Sequence, residues 1–254
     1  MEDSHFYISI VSHGHDEFII NNKDLAEIAI LPNVTVLVKD NLKQNKIKQV
    51  CDKNNYIYIT SKNLEGFGSN NNIVFDYIKS TYNLKEDDYF IVLNPDVILT
   101  KKEFLKLQFY VTRNKTIFST INLFRDYNFT VHDPCVRTFP TLYNFFKSFV
   151  FGEKYSIEKL DIDKPTHVDW ATGAFLCFHI SLYKSLSGFD EDYFMYCEDI
   201  DICKRASIDG SPLLYIPQIK GIHLAQHVNR NPFSRHFLWH IVSIAKYLLK
   251  FNKY

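Results

Sequence analysis

Short apolar runs alternate along this chain with segments of helical spacing, starting at Phe6–Ser12 (FYISIVS), which reads as a buried strand. Phe18–Ile30 follows with Leu25, Ile28 and Ala29 on one helical face, and Val34–Lys39 is a second strand that stops at Asp40-Asn41. Ile47–Lys53 has the spacing of a short helix and Tyr56–Thr60 that of a third strand. Gly66-Phe67-Gly68 and the asparagines Asn70 to Asn72 lead into a helix that buries Ile73, Val74, Tyr77 and Ile78, with the asparagines as natural N-caps. Tyr89–Leu93 is apolar without interruption, as a central strand covered on both faces requires, and it ends at Asn94-Pro95-Asp96. Further on come a predicted helix over Lys101–Thr112, a strand over Ile117–Phe124 and a long polar loop over Arg125–Thr141. Val168–Phe178 reads as one strand, with Gly173 permitting close backbone approach; Ile180–Leu186 is a short helix and Leu213–Ile216 the last strand. Strands alternating with helices predict an α/β fold with a doubly wound, mostly parallel sheet. Ligands of such sheets bind beyond the carboxyl ends of the strands, where Asp40, the His13–Asp16 turn, Asn94 and Asp96 fall.

Chemistry concentrates in Gly188–Arg205 (GFDEDYFMYCEDIDICKR), where six carboxylates occupy the twelve residues from Asp190 to Asp201. Acids at a helix start ordinarily cap N–H groups and suit the helix dipole. Bordering the apolar run Tyr193–Cys197, one of them can instead serve as a general base at a pocket edge. The turn Gly66–Gly68 offers either helix caps or N–H groups for a phosphate, and without a following Gly-Lys-Ser/Thr it is not a P-loop. Asn94 and Asp96 form either an Asx turn or a pair of oxygen donors for a hard divalent cation beside a diphosphate. Trp170 fits a sugar platform or the core, and His132, Asp133, Arg137 and Lys147 are candidates to meet an anionic substrate. Lone histidines such as His223 are more often structural than ligands.

Composition narrows the partners. With 254 residues, 46% hydrophobic and 23% charged, the chain suits one large soluble domain, expected to span 1–254. Net charge is zero, yet nothing from Gly210 onward is acidic, while Lys220, Arg230, Arg235, Lys246, Lys250 and Lys253 make that tail +6 and leave −6 elsewhere. An anionic partner for the tail is expected, either a membrane surface or a phosphate-bearing substrate. Nucleic acid is not: there is no motif, and the lysines flank the apolar helix Phe237–Phe251. That helix suits a membrane surface and its own domain equally. Five cysteines without a CxxC pair, and no secretory leader, suggest reduced thiols in the cytoplasm.

Taken in order, Ser12-His13-Gly-His15, Asp40-Asn41, Gly66-Phe67-Gly68, Leu93-Asn-Pro-Asp96, Phe124-Arg-Asp126, Trp170-Ala-Thr172-Gly173-Ala, Gly188-Phe-Asp190, Tyr193–Asp199, Glu198-Asp-Ile-Asp201 and a late His223 resemble the bacterial O-antigen rhamnosyltransferases of glycosyltransferase family two. The likeness covers nearly the whole chain and implies a GT-A fold: a single Rossmann-like domain closed by a basic amphipathic helix. It divides the chain into a nucleotide-sugar half (1–100), an acceptor half (101–222) and a basic tail (223–254). Implied too are an inverting, metal-dependent reaction using Mg²⁺ or Mn²⁺, a dTDP-rhamnose donor and a polyprenyl-diphosphate-linked saccharide acceptor at the inner face of the cytoplasmic membrane. By the same likeness Asp199 matches the catalytic base with Glu198 beside it, and Asp96 and His223 match metal ligands, with Asn94 in place of the first acid of the family's DXD. Ser12, His13, Asp40 (at the base), Gly66, Phe67, Gly68 and Asn71 match the donor site, and Trp170, Thr172, Gly173 and Asp190 the acceptor site. A different donor, such as UDP-galactofuranose or an N-acetylhexosamine nucleotide, and a non-catalytic sugar-binding subunit are the alternatives.

Overall fold

The computed structural model describes residues 4–140, 157, 162–224 and 235–251; Lys147, His227 and Arg230 lie outside them. β1 (Phe6–Ser12) is buried except at Val11. α1 (Asp16–Asn21) and α2 (Lys23–Ala29) replace the single helix expected over 18–30, because Asn22 leaves helical geometry at ψ 85° and its side chain caps α2, accepting the Leu25 N–H at 3.0 Å. β2 (Val34–Asp40), α3 (Asn45–Asn54) and β3 (Ile57–Ile59) follow. α4 (Phe67–Thr81) begins directly after Gly66, so Asn70 to Asn72 are not its caps but lie inside its first turns. After β4 (Tyr89–Leu93), β5 (Val97–Ile98) and α5 (Lys101–Asn114), β6 (Phe118–Phe124) is buried throughout.

The stretch expected as one strand over 168–178 is broken. β7 (Val136–Arg137) crosses to pair with β9 (Trp170–Ala171), while β8 (Thr166–Val168) and β10 (Phe175–His179) join the main sheet. α6 (Ile180–Ser185) and α7 (Glu198–Ile208) come next. β11 (Leu213–His223) runs well past the expected end at Ile216; its pairing with β6 shifts between Ile216 and Lys220, around Pro217, which has no N–H to give the ladder. α8 (Arg235–Phe251) ends the described chain.

The sheet order is β3-β2-β1-β4-β10-β6-β11-β5, with β8 on β11. β3, β2, β1 and β4 are parallel and β6 pairs parallel with β11, but β10 runs antiparallel to both its neighbours. The sheet is therefore mixed, and its reversed strand has a use. β10 starts where β4 ends, with Phe175 opposite Leu93, and the Asn94 N–H donates to the Ala174 carbonyl at 3.0 Å. A loop that precedes a strand thus meets the loops that follow strands at one sheet edge. Phe118 and Phe178 stack at 4.4 Å beneath it, each fully buried and each contributing about 2 kcal/mol. The five cysteines are buried and none forms a disulfide. Among the described residues no helix is long and apolar enough to cross a membrane.

Candidate active site

Three strand ends supply the first half of the site. Ser12 ends β1 opposite Asp40 at the end of β2, and Ser12 is buried with its carbonyl accepting the Asn41 N–H at 2.9 Å. Asn41 meets the ring of the exposed His13 at 3.3 Å and bonds the Glu65 backbone in both directions, at 2.9 and 3.2 Å. Asp40 differs from its expected part as a contact for a base. Its oxygens accept N–H groups of Leu42 and Lys43 at 3.0 Å, Gln44 at 2.5 Å and the Tyr58 hydroxyl at 3.0 Å. It shapes its own loop. Asn71 is corrected outright: it is fully buried, accepts the Ser9 hydroxyl at 2.7 Å and donates to the Phe67 carbonyl at 3.0 Å, holding α4 on β1.

Gly66, Phe67 and Gly68 are packed against the acidic stretch. The Phe67 N–H donates to the Phe194 carbonyl at 3.2 Å, and a Cβ on Gly66 would sit 2.1 Å from that oxygen, which is backbone and cannot swing away. One on Gly68 would meet Phe189 Cβ at 2.8 Å. Close approach explains both glycines without a phosphate. Gly66→Ala is expected to cost about 1–3 kcal/mol, the usual penalty for forcing atoms into a closed space. Thermal melting checks it, and an unchanged melting temperature would show that the contact yields. Asn72 completes the joint by accepting from Tyr183 and the Phe189 N–H and donating to the Phe189 carbonyl and Glu191, all within 2.8–2.9 Å.

Beyond β4, Asp96 faces His223, brought there by the long β11, with Oδ2 to Nε2 at 3.5 Å. On its other side His223 Nδ1 lies 3.4 Å from Asp133, which also accepts from Arg125 Nε at 3.2 Å. Burial would lower the His223 pKa, but hydrogen bonds and charge from Asp133 and Asp96 outweigh it and raise it to about 9. Among the described residues no group of three or more acids, histidines and cysteines is arranged to hold a metal by itself. A carboxylate and an imidazole side by side would nevertheless suit an ion such as Mn²⁺ that displaces the proton His223 holds in its absence.

The acid pair lies at the start of α7. Tyr196 and Cys197 just before it both have left-handed backbone, φ 72° and 65°, so the chain turns sharply into Glu198. Asp199 accepts the Gly173 N–H at 3.2 Å on one oxygen and the Ile200 N–H at 2.9 Å on the other. Burial raises its pKa, opposed by those N–H groups and by Arg137. Glu198 is 7% exposed, and its Oε2 has no hydrogen-bond partner among the described residues; burial and the Asp199 charge push its pKa up to about 8. Donors favour the ionised form, so Glu198 keeps a proton near neutrality and Asp199 carries the negative charge. Thr172, adjoining Gly173, likewise has a buried hydroxyl without a partner among the described residues. Two buried polar atoms without a partner among the described residues thus belong to residues next in sequence to Asp199 and to the glycine that bonds it.

Two expected acceptor residues are bonded within the protein. Trp170 is 6% exposed, donates its indole N–H to the Thr138 carbonyl at 2.8 Å and lies under Arg137 at 5.2 Å. Asp190 pairs with Lys250 of α8 at 2.6 Å and accepts the Asp192 N–H at 3.0 Å; burial opposes its ionisation, but these partners win and lower its pKa. Asp201, undecided from sequence, is wholly buried between Arg205 and Lys250, both at 2.6 Å. Arg205 also donates to the carbonyls of Leu186 and Gly188 at 2.7 and 2.9 Å. An acidic residue followed four positions later by arginine was the one visible signal of this lock.

Besides the bonds of Phe67 and Asn72, two neighbouring hydrogen bonds join the strand edge to the acid pair. Asn94 is tied to Ala174, and the adjoining Gly173 to Asp199, so the Asn94–Asp96 edge and the acid pair share one two-residue hinge. No family model matches the chain. The rhamnosyltransferase WbbL of Escherichia coli K12 is 42% identical over 247 residues, 96% of this chain and 92% of that protein. The N-acetylglucosaminyl-diphospho-decaprenol L-rhamnosyltransferase of Mycobacterium tuberculosis H37Rv is 31% identical over 159 residues, 58% of this chain and 51% of its own length. Among solved structures, the mannosyltransferase PcManGT of Pyrobaculum calidifontis, in complex with GDP-Man and Mn²⁺, superposes with a TM-score of 0.63 at 11% identity, covering 98% of this chain and 65% of that one. At that identity the shared property is the fold, GT-A.

Proposed function

Since this chain belongs to the WbbL family of rhamnosyltransferases, we propose that it moves L-rhamnose from dTDP-β-L-rhamnose to a hydroxyl of N-acetylglucosamine carried on a polyprenyl diphosphate, with inversion. The observation that carries this reading is the hinge at Gly173-Ala174, which ties the strand edge bearing Asp96 to the carboxylate of Asp199. A single displacement needs those two parts side by side: a base on the acceptor hydroxyl and a stabiliser of the departing nucleoside diphosphate.

On this reading residues 1–100 bind the nucleotide sugar, with Ser12, His13 and the loop shaped by Asp40 at the nucleotide, and residues 101–222 bind the acceptor. Asp199 takes the proton of the attacking hydroxyl as the new glycosidic bond forms and the bond to the diphosphate breaks. Protonated Glu198 and the Thr172 hydroxyl bond sugar oxygens of the acceptor. Asp96, His223 and Asn94 hold Mg²⁺ or Mn²⁺, which when bound neutralises charge developing on the diphosphate. The reaction takes place at the inner face of the cytoplasmic membrane, where the lipid of the acceptor is anchored.

A donor screen tests the proposal: several nucleotide sugars with Mn²⁺ and a synthetic N-acetylglucosamine-diphosphate-lipid, products read by mass spectrometry. Transfer from dTDP-rhamnose is expected. Transfer from UDP-galactofuranose instead would replace the donor, and no turnover with any sugar would favour a binding subunit. Asp96→Ala is expected to lower kcat/KM at least ~100-fold and to abolish stimulation by Mn²⁺.

A further inference from the structure

The last helix has two apolar faces, and among the described residues only one packs on the domain. Towards the body, Ser243 donates to the Met195 carbonyl at 2.9 Å, Tyr247 is buried, Trp239 packs on Phe194 at 4.8 Å, and Lys246 and Lys250 reach Asp192 and the Asp190/Asp201 pair. Lys246 and Lys250, expected to attract an anionic partner, are therefore engaged by the domain's own oxygens. Away from the body stand Leu238 (62% exposed), Ile241, Val242, Ala245 and Leu249 (77% exposed). Their spacing puts all five on one stripe, about 16 Å long at 1.5 Å per residue, with no charged residue in it.

We propose that this stripe lies in the surface of a lipid bilayer, held by apolar insertion and not by the lysines of the same helix. The proposal rests on the reading of the acceptor as lipid-linked. α8 grips the 190–197 loop, which leads directly into Glu198 and Asp199. A bilayer along its outer stripe therefore lies beside the wall of the acceptor site, where the diphosphate of a membrane-anchored substrate emerges. Charge favours the same occupant: no residue from Gly210 onward is acidic, Arg235 opens the helix and Lys253 follows it in sequence. Anionic headgroups complement that tail, whereas a second copy of it would repel. Interfacial helices insert their apolar face only ~5–10 Å, a depth that side chains such as leucine reach.

The test uses the full chain and vesicles of phosphatidylethanolamine and phosphatidylglycerol in a flotation assay. Wild type is expected to float and to keep floating in high salt. The triple variant Leu238→Gln/Val242→Gln/Leu249→Gln, at exposed positions where glutamine suits a helix, is expected to lose vesicle partition at least ~10-fold, three lost apolar insertions being worth that or more. Its melting temperature, and its turnover of a water-soluble short-chain acceptor, are expected to match wild type. Wild type left in the lower fraction, or a triple variant that floats equally well, overturns the proposal. So does a wild-type dimer that the triple variant dissolves, which makes the stripe a self-interface. Flotation needs no turnover, so failure of the transferase reading shows separately, as silence with the soluble acceptor.

Discussion

Asp199→Asn should reduce transfer about 1,000-fold, the middle of the range for a positioned general base, while the dissociation constant for the nucleotide sugar changes less than ~2-fold. The amide keeps the shape of the carboxylate but cannot take a proton, and its single oxygen keeps one of the two N–H groups, Gly173 and Ile200, that now bond separate oxygens. Single-turnover kinetics and donor titration separate the two effects; near-normal turnover would remove Asp199 from the chemistry. The base works only when ionised and its pKa is raised by burial. Activity should therefore be lost, as pH falls, above the ordinary aspartate range, and the acid limb of kcat/KM against pH reports where. Glu198→Gln is the contrasting variant. A neutral amide resembles the protonated acid present near neutrality, so its turnover should drop far less than that of Asp199→Asn. Its stability also carries a sign. The folded protein holds the Glu198 proton up to about pH 8, whereas an unfolded glutamate releases it near pH 4.3. Between these values the native state binds more protons than the unfolded chain, so wild-type stability falls as pH rises. Glu198→Gln should lack that slope.

Arg205→Met should cost about 3 kcal/mol, which for a chain of this size is a fall of roughly 6–12 °C in melting temperature. Three charge-assisted bonds disappear at once, to Asp201, Leu186 and Gly188. Asp201 is left buried with Lys250 as its remaining cation, and that lysine is itself one-third exposed and shared with Asp190. Arg205→Lys should recover little, because an ammonium cannot span three acceptors that a planar guanidinium reaches together. A change under ~2 °C by differential scanning calorimetry would show that Lys250 alone satisfies Asp201.

The strands β1, β2, β4 and β6 are readable from apolar runs because burial on both faces leaves a pattern that survives any topology. Direction does not. Nothing in Phe175–His179 distinguishes an antiparallel strand from a parallel one, since alternation and apolarity are the same either way, and the sense of β10 depends on where the broken 166–174 segment turns. The partners of the aspartates and of the tryptophan were illegible for a related reason. Asp40, Asp190 and Trp170 have the chemistry of ligand contacts, but their hydrogen bonds go to neighbours whose arrival only folding reveals, such as Tyr58, Lys250 and Thr138. The family resemblance singles out Asp199, and the structure supplies the physical difference: Gly173 donates to Asp199, whereas Oε2 of Glu198 has no hydrogen-bond partner among the described residues. Apolar periodicity located the last helix, whereas the inward turn of its lysines depends on acids some fifty residues earlier.

The left-handed pair Tyr196-Cys197 has a consequence for the order in which the molecule is finished. Two non-glycine residues in that conformation cost about 1–2 kcal/mol each, and here they are held from one side by burial of Cys197 and from the other by the His240 ring, 4.9 Å from that of Tyr196. His240 belongs to α8, which follows every other described element. The turn before Glu198 is therefore complete only when α8 is packed on it: the parallel strands can close without that helix, whereas the approach to the acid pair cannot.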